Sequence, residues 1–218
     1  MTPQGLAITE DYLLISAYCR TKEHNSVIYV LDKDTHQFVK EIVLNTRAHV
    51  GGLAYDTMNH NLWVTGQGST WAQANAISLR HLEEYIFEDE YKPLEFDMSY
   101  NLYRIKRASF MTYHDGALFV GFFTQDDASI IEKYLINADG TLYEKTDQNL
   151  KRTVGVIDPV ACAVSMQVIS GKVQGMAFYN NKILLTRSWG IPVSYTHLDV
   201  YKRQDQGHVP AGRKGGAH

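Results

Sequence analysis

The sequence predicts an all-β fold, a partial β-propeller of about three and a half four-stranded antiparallel blades with a helical insertion in the second. One pattern, two short apolar runs joined by turn-forming residues, recurs four times along the chain. In each unit these first two runs are the most apolar, as expected for the buried inner strands of a blade. The 14 tyrosines also favour strands over helices.

Each repeat begins with an apolar run that starts at or near a small residue, followed by a turn and a second apolar run. Such a pair of runs is typical of a β-hairpin. The four predicted hairpins are Gln4–Ile8 with Leu13–Ser16, Gly51–Tyr55 with Leu62–Thr65, Ala108–Thr112 with Leu118–Gly121, and Gln174–Phe178 with Ile183–Thr186.

The outer strands of the units are predicted from the segments that follow the hairpins. In the first unit these are Ser26–Asp32 and Phe38–Leu44. In the third unit Ser129–Ile136 leads through the turn Asn137–Gly140 into a fourth strand, Thr141–Lys145. The fourth unit is predicted to stop after its second strand. Because propellers close with about four to eight blades, the natural protein is expected to continue for further blades.

An insertion in the second unit is predicted to contain a helix. Leu79, Leu82, Ile86 and Phe87 fall near helical spacing, and Ser78 is suited to cap the helix. The acidic residues around it are expected to form a solvated face rather than a cation site; they are Glu83, Glu84, Glu88, Asp89 and Glu90.

The C-terminal segment Val193–Gln204 can be encoded by DNA that, together with a CT ending the Pro192 codon, equals its own reverse complement. It resembles two copies of a transposon-end sequencing adapter joined head to head and translated. We therefore predict an incomplete propeller domain over residues 1–191 and an adapter-derived, unrelated and disordered tail over residues 192–218. The alternative is a natural polar C-terminal extension.

Composition restricts the class of partner. The hydrophobic share of 44% and the charged share of 21% are those of a soluble globular domain. A net charge of −3 favours neither a nucleic-acid partner nor a membrane partner. Neither a membrane span nor a signal peptide is visible in the chain as given, and the cellular compartment stays open.

No sequence motif assigns a catalytic residue, a metal site or a cofactor. Motifs of serine hydrolases, P-loop proteins, zinc proteases and dinucleotide-binding proteins are absent. The histidines are scattered, and Cys19 and Cys162 lie in no metal-binding pattern. The cysteines are predicted to be free thiols, although their spacing leaves a disulfide between them open.

The repeat starts Gln4-Gly-Leu-Ala and Val173-Gln-Gly-Met-Ala-Phe, with hairpins that end Leu-Trp-Val or Leu-Leu-Ile-Ser, resemble those of bacterial six- or seven-bladed propellers. The similar groups are the gluconolactonase-like, lactonase-like and quinoprotein-like repeats, over roughly residues 1–191. The resemblance implies architecture rather than one activity. No position matches the acidic and asparagine metal ligands expected in the gluconolactonase-like group.

Propellers bind ligands at one mouth of the central channel, which is lined by residues before the innermost strands and in the connecting loops. We predict ligand-binding roles there for five residues: Gln4, Arg20, His49, Gln174 and Arg187. Two guanidinium groups facing the channel could hold a carboxylate or phosphate. Further residues placed near this mouth are Tyr18, Gln67, Trp71, Ser109 and Trp189.

Three functional hypotheses follow. The first is a repeat scaffold that binds a small ligand, with anions favoured by the arginines, or a protein partner at the channel mouth. The second is a lactonase-like or hydrolase-like propeller enzyme, and the third is an interaction domain of a larger protein. The sequence names neither a ligand nor a reaction, because propellers host many functions.

Overall fold

The structure is a computed structural model that describes residues 1–87, 92–144, 159–180, 182–187 and 197–202, the last range for its backbone only. These residues form four β-sheets that follow one another along the chain. Among the described strands, all pairs except one are antiparallel.

The first sheet has four strands in sequential order. They are β1 (Thr2–Ile8), β2 (Tyr12–Tyr18), β3 (Val27–Asp32) and β4 (Phe38–Val43). The turn between β3 and β4 is closed by Asp32, whose carboxylate accepts a hydrogen bond from the backbone N–H of Thr35 at 2.7 Å. The hairpin and the two outer strands predicted for this unit are confirmed.

The second sheet contains the predicted hairpin and the helical segment. Its strands are β5 (Leu53–Asp56), β6 (Asn61–Gln67), β7 (Ala72–Ser78) and β8 (Met98–Leu102), and helix α1 (Leu79–Glu84) joins β7 to β8. The Ser78 hydroxyl accepts a hydrogen bond from the backbone N–H of His81 at 3.2 Å, as an N-cap does. The helix is shorter than the predicted pattern, since it ends before Ile86. Glu88, Asp89 and Glu90 lie outside the described residues.

The third sheet has strands β9 (Phe110–His114), β10 (Ala117–Gly121) and β11 (Ala128–Leu135), but its outermost strand is not the predicted one. A two-residue strand, β12 (Val160–Ala161), pairs in parallel with β8 of the second sheet, and β13 (Ser165–Ser170) then pairs with β11.

The prediction of a fourth strand at Thr141–Lys145 is therefore wrong, although Lys145 lies outside the described residues. The turn at Asn137–Gly140 does form, with Gly140 in a left-handed conformation at φ 81°. After it Leu142 bridges back to Ile136, the backbone N–H of Tyr143 donates to the carbonyl oxygen of Leu135 at 2.9 Å, and Glu144 bridges to Ala161. Leu142 is 1% exposed and packs in the core shared by the second and third sheets. The position beside β11 is occupied by β13 instead.

The fourth sheet contains β14 (Val173–Tyr179), β15 (Lys182–Arg187) and β16 (His197–Lys202). The hairpin of β14 and β15 is the predicted one. Strand β16 pairs with β15 and lies within residues 192–218, where the sequence predicts a disordered tail. The structure thus gives this unit a third strand, whereas the origin of the segment stays a prediction.

The first strands of the four sheets lie side by side in space, in the order in which they occur along the chain: β1 contacts β5, β5 contacts β9, and β9 contacts β14. The sheets pack face to face around these inner strands, with an apolar core between each successive pair. The largest fully buried side chains include Leu14 and Ile28 between the first two sheets and Trp63 and Leu118 between the second and third.

A glycine and a hydroxyl fix the start of the inner strands. The Ser16 hydroxyl accepts a hydrogen bond from the backbone N–H of Gly5 at 2.9 Å and donates to the carbonyl oxygen of Val50 at 2.7 Å. The Thr65 hydroxyl accepts from the N–H of Gly52 at 2.9 Å in the same way. In each of these two sheets, the hydrogen bond between the glycine N–H and the Ser or Thr hydroxyl thus joins the sheet's first two strands. Through its bond to Val50, Ser16 also connects the first sheet to the second.

At the opposite end of the inner strands a polar contact joins the first two sheets. The Tyr55 hydroxyl, on the second sheet, donates to the Glu10 carboxylate at 2.8 Å and contacts His60 Nδ1 at 2.8 Å. This hydrogen bond is the largest influence that lowers the pKa of Glu10. Burial and the same carboxylate raise the pKa of Tyr55 well above its usual value, so its hydroxyl remains a donor.

Cys19 and Cys162 do not form a disulfide bond. The thiol of Cys19 lies 3.1 Å from the Thr21 hydroxyl and 3.5 Å from His24 Nδ1, and these contacts lower its pKa to about 6. Among the helices of the described ranges, none is long and apolar enough to cross a membrane.

Candidate functional site

A cavity of about 810 Å³ opens where the inner strands begin. It is enclosed by the β2–β3 loop, the segment before β5, the end of β6, and the segment before β9. Four of the five predicted ligand-binding residues line it: Gln4, Arg20, His49 and Gln174. Tyr18, Gln67 and Ser109, which were placed near the mouth, line it as well.

Arg187, the fifth predicted residue, is not brought into this cavity. Its Nε donates a hydrogen bond to the carbonyl oxygen of Gly171 at 3.0 Å, which holds the chain just before β14. Trp71 is also elsewhere, in an edge-on contact with Tyr103 at a ring distance of 5.2 Å. Trp189 lies outside the described residues.

Three cations at the mouth were missed by the sequence analysis. Lys22 follows Arg20 in the β2–β3 loop, and Lys106 and Arg107 immediately precede the third inner strand. The last two were detectable, because residues just before an innermost strand are expected at the mouth. The apolar pattern of the third repeat starts at Ala108, and this leaves both residues outside it.

The charged side chains that line the mouth are all positive. Four cationic side chains line the cavity, and no acidic residue does among the described residues. All four cations are exposed, and none forms an ion pair with a carboxylate in the described part of the chain. Since the whole chain carries a net charge of −3, this local positive field is the opposite of the average surface.

His49 sits at the rim between the two cation-bearing segments. Its ring packs against Tyr18 at a centroid distance of 4.4 Å. Much of the ring surface is open, yet the surrounding mouth partly desolvates it, and this lowers the pKa of His49. The imidazole is therefore neutral near pH 7 and adds a hydrogen-bonding group rather than a fifth positive charge.

A second cavity of about 590 Å³ continues along the inner strands. It is lined by stretches of all four, among them Gly5–Ile8 and Gly52–Tyr55. Gln4 and Gln174 line both cavities, so these two amides mark the boundary between the mouth and the second cavity. Within the described ranges, no group of three or more His, Cys, Asp or Glu residues is placed to hold a metal ion.

No protein-family model matches this chain, and no curated protein matches its sequence. Solved structures do match. A chain of "Kuenenia stuttgartiensis Hydrazine Synthase" aligns at 12% identity over 93% of this chain and 51% of that chain, with a TM-score of 0.52.

Two other matches have lower TM-scores. The "WD40 beta propeller domain of Doa1" aligns at 11% identity over 85% of this chain and 48% of that chain, with a TM-score of 0.43. A "protein of unknown function from Bacteroides caccae" aligns at 12% identity over 90% and 74%, with a TM-score of 0.44.

These likenesses concern the fold alone. The successive antiparallel sheets and the similarity to the hydrazine synthase chain show that the chain has a β-propeller fold. The chain spans about half the length of the first matched chains, from 48% to 52%.

Proposed function

We propose that the chain is part of a ligand-binding propeller module, and that the mouth cavity holds a small anionic ligand. The observation that carries this proposal is the convergence of Arg20, Lys22, Lys106 and Arg107 on one cavity without a carboxylate among the described lining residues. Like charges brought together at a concave surface repel one another, and an anion offsets that repulsion.

The remaining lining residues suit such a ligand. Gln4, Gln174 and Ser109 supply neutral hydrogen-bonding groups from three of the inner strands or the segments leading into them. Arginine and lysine would bind the charge, and the amides would orient the ligand. The hydrolase alternative has no comparable support, because the described mouth residues offer no carboxylate that could act as a general acid or base.

The test is ligand-induced stabilisation measured by differential scanning fluorimetry with a panel of small anions at low salt. We expect a binding anion to raise the melting temperature, and Arg20→Ala to weaken its affinity roughly fivefold, since an exposed ion pair contributes up to about 1 kcal/mol. Arg80→Ala is the control, because Arg80 pairs with Glu84 on the exposed face of α1.

Arg187→Ala is expected to lower the melting temperature without changing the shift that the anion produces, because its guanidinium holds the Gly171 carbonyl. If Arg20→Ala binds every anion as the unsubstituted chain does, the mouth is not an anion site.

We also propose that the propeller is incomplete and that a further sheet covers the outer face of the first sheet. On β1, Leu6 is 58% and Ile8 is 56% exposed. The repeat-equivalent residues of the second sheet, Leu53 and Tyr55, are 3% and 6% exposed because the first sheet covers them. The strand register places further apolar residues on the same open face; they are Leu13, Ile15, Tyr29 and Leu31.

Such an open face predicts self-association of the isolated chain. We expect sedimentation velocity to show oligomers that grow with protein concentration, and the double substitution Leu6→Glu with Ile8→Glu to reduce them. Met58→Glu is the control, since Met58 is 73% exposed in a turn of the second sheet. A monodisperse chain that unfolds cooperatively would argue that the face needs no further sheet.

A further inference from the structure

The four cations of the mouth come in two pairs on two separate segments. Arg20 and Lys22 lie in the β2–β3 loop of the first sheet. Lys106 and Arg107 lie between β8 and β9, at the entrance to the third sheet. The second sheet stands between these two sheets, so the pairs belong to opposite sides of its inner strand.

Two cations outside the mouth have partners within the described ranges. Lys40 donates to the carbonyl oxygens of Glu83 and Tyr85, and Arg80 pairs with Glu84. Neither mouth pair has a carboxylate partner within the described ranges. Each pair therefore presents to the same cavity two positive charges that no carboxylate of the described residues neutralises.

The space between the pairs is suited to an organic spacer. The Tyr18 and His49 rings, whose planes are tilted by 51°, and the side chain of Phe123 also line the cavity. His49 is neutral near pH 7, so this strip carries no charge of its own. A ligand with an anionic group at each end and a short uncharged middle could contact both cation pairs and these three side chains simultaneously.

We propose that the ligand of the mouth is a small organic dianion, a dicarboxylate in its simplest form, with one anionic group held by Arg20 and Lys22 and the other by Lys106 and Arg107. This inference rests on the proposed anion-binding function. The ligand then acts as a bridge between the first and third sheets, and its binding depends on both segments together.

Isothermal titration calorimetry at constant low ionic strength tests the bridge with three probes: glutarate, butyrate and inorganic phosphate. We expect glutarate to bind at least about fivefold more tightly than butyrate or phosphate, because only glutarate carries two separated carboxylates. Arg20→Gln and Lys106→Gln are each expected to reduce glutarate affinity to the level of butyrate. Arg80→Gln is the matched control for the loss of an exposed positive charge.

The outcomes separate the two proposals. Equal affinity for glutarate and butyrate, both weakened by Arg20→Gln, would leave an anion site but overturn the bridge. Phosphate binding as tightly as glutarate would also overturn it, because one compact anion would then suffice. Absence of binding by any probe would overturn both the bridge and the anion-binding function. Circular dichroism and melting curves of each variant establish that the fold is intact.

Discussion

Replacing Trp63 by alanine is expected to destabilise the fold by about 3–5 kcal/mol, the usual cost of removing a large aromatic side chain from a core. Trp63 on β6 is fully buried between the second and third sheets. It packs with Leu118 and Val120 in one cluster and lies 6.1 Å from the Tyr100 ring. For a chain of this size the loss corresponds to a fall in melting temperature of roughly 10 °C.

Trp63→Phe separates the loss of volume from the loss of the indole N–H. No described residue accepts a hydrogen bond from Trp63 Nε1, and an unsatisfied buried donor costs about 1–3 kcal/mol. Phenylalanine removes that donor and keeps most of the ring, so we expect it to cost less than about 1.5 kcal/mol. Urea denaturation of both variants measures the difference. A loss below about 1 kcal/mol for Trp63→Ala would contradict close packing of the second and third sheets.

The parts of the fold that could be predicted are those encoded by local patterns. Each inner hairpin has its own apolar runs and turn residues, and Asp115 and Gly116 adopt the positive φ values that such a turn requires. Strand β12 could not be predicted, because Val160 and Ala161 alone carry no periodicity and pair in parallel with a strand far away in sequence. The outermost strand of the third sheet could not be predicted either, because β13 pairs with β11 only after the chain has paired with β8 of the second sheet through β12.

The candidate site was predictable to the extent that it follows from the repeat. Gln4 and Gln174 occupy equivalent positions before inner strands, and both reach the mouth. Arg20 and Arg187 were treated as equivalent, but β2 ends at Tyr18 and leaves Arg20 in a loop, whereas Arg187 is still paired within β15. Loop position depends on where a strand ends, and strand ends are decided by tertiary contacts that a single sequence does not reveal.

The second large effect is expected from Gly52→Ala, which should destabilise the fold by about 1–3 kcal/mol through overpacking. A Cβ at this position would lie 2.6 Å from the backbone nitrogen of Met111 and 2.8 Å from Thr65 Cγ2. The first of these atoms belongs to the backbone of the adjacent inner strand, β9, which cannot rotate away as a side chain can. The two inner strands would have to separate, and the Gly52–Thr65 hydrogen bond would be strained with them.

Gly175→Ala is the matched control, since Gly175 occupies the same repeat position on the fourth inner strand. Its added Cβ would meet only the Thr186 hydroxyl, at 3.0 Å, and no backbone atom of another sheet. Alanine there should change stability by no more than about 0.5–1 kcal/mol, because any contact is partly offset by the lower entropy of the unfolded chain. Equal losses from the two substitutions would show that the glycine serves its own hairpin. A loss confined to Gly52→Ala would mean that the repeated glycine lets neighbouring inner strands approach closely.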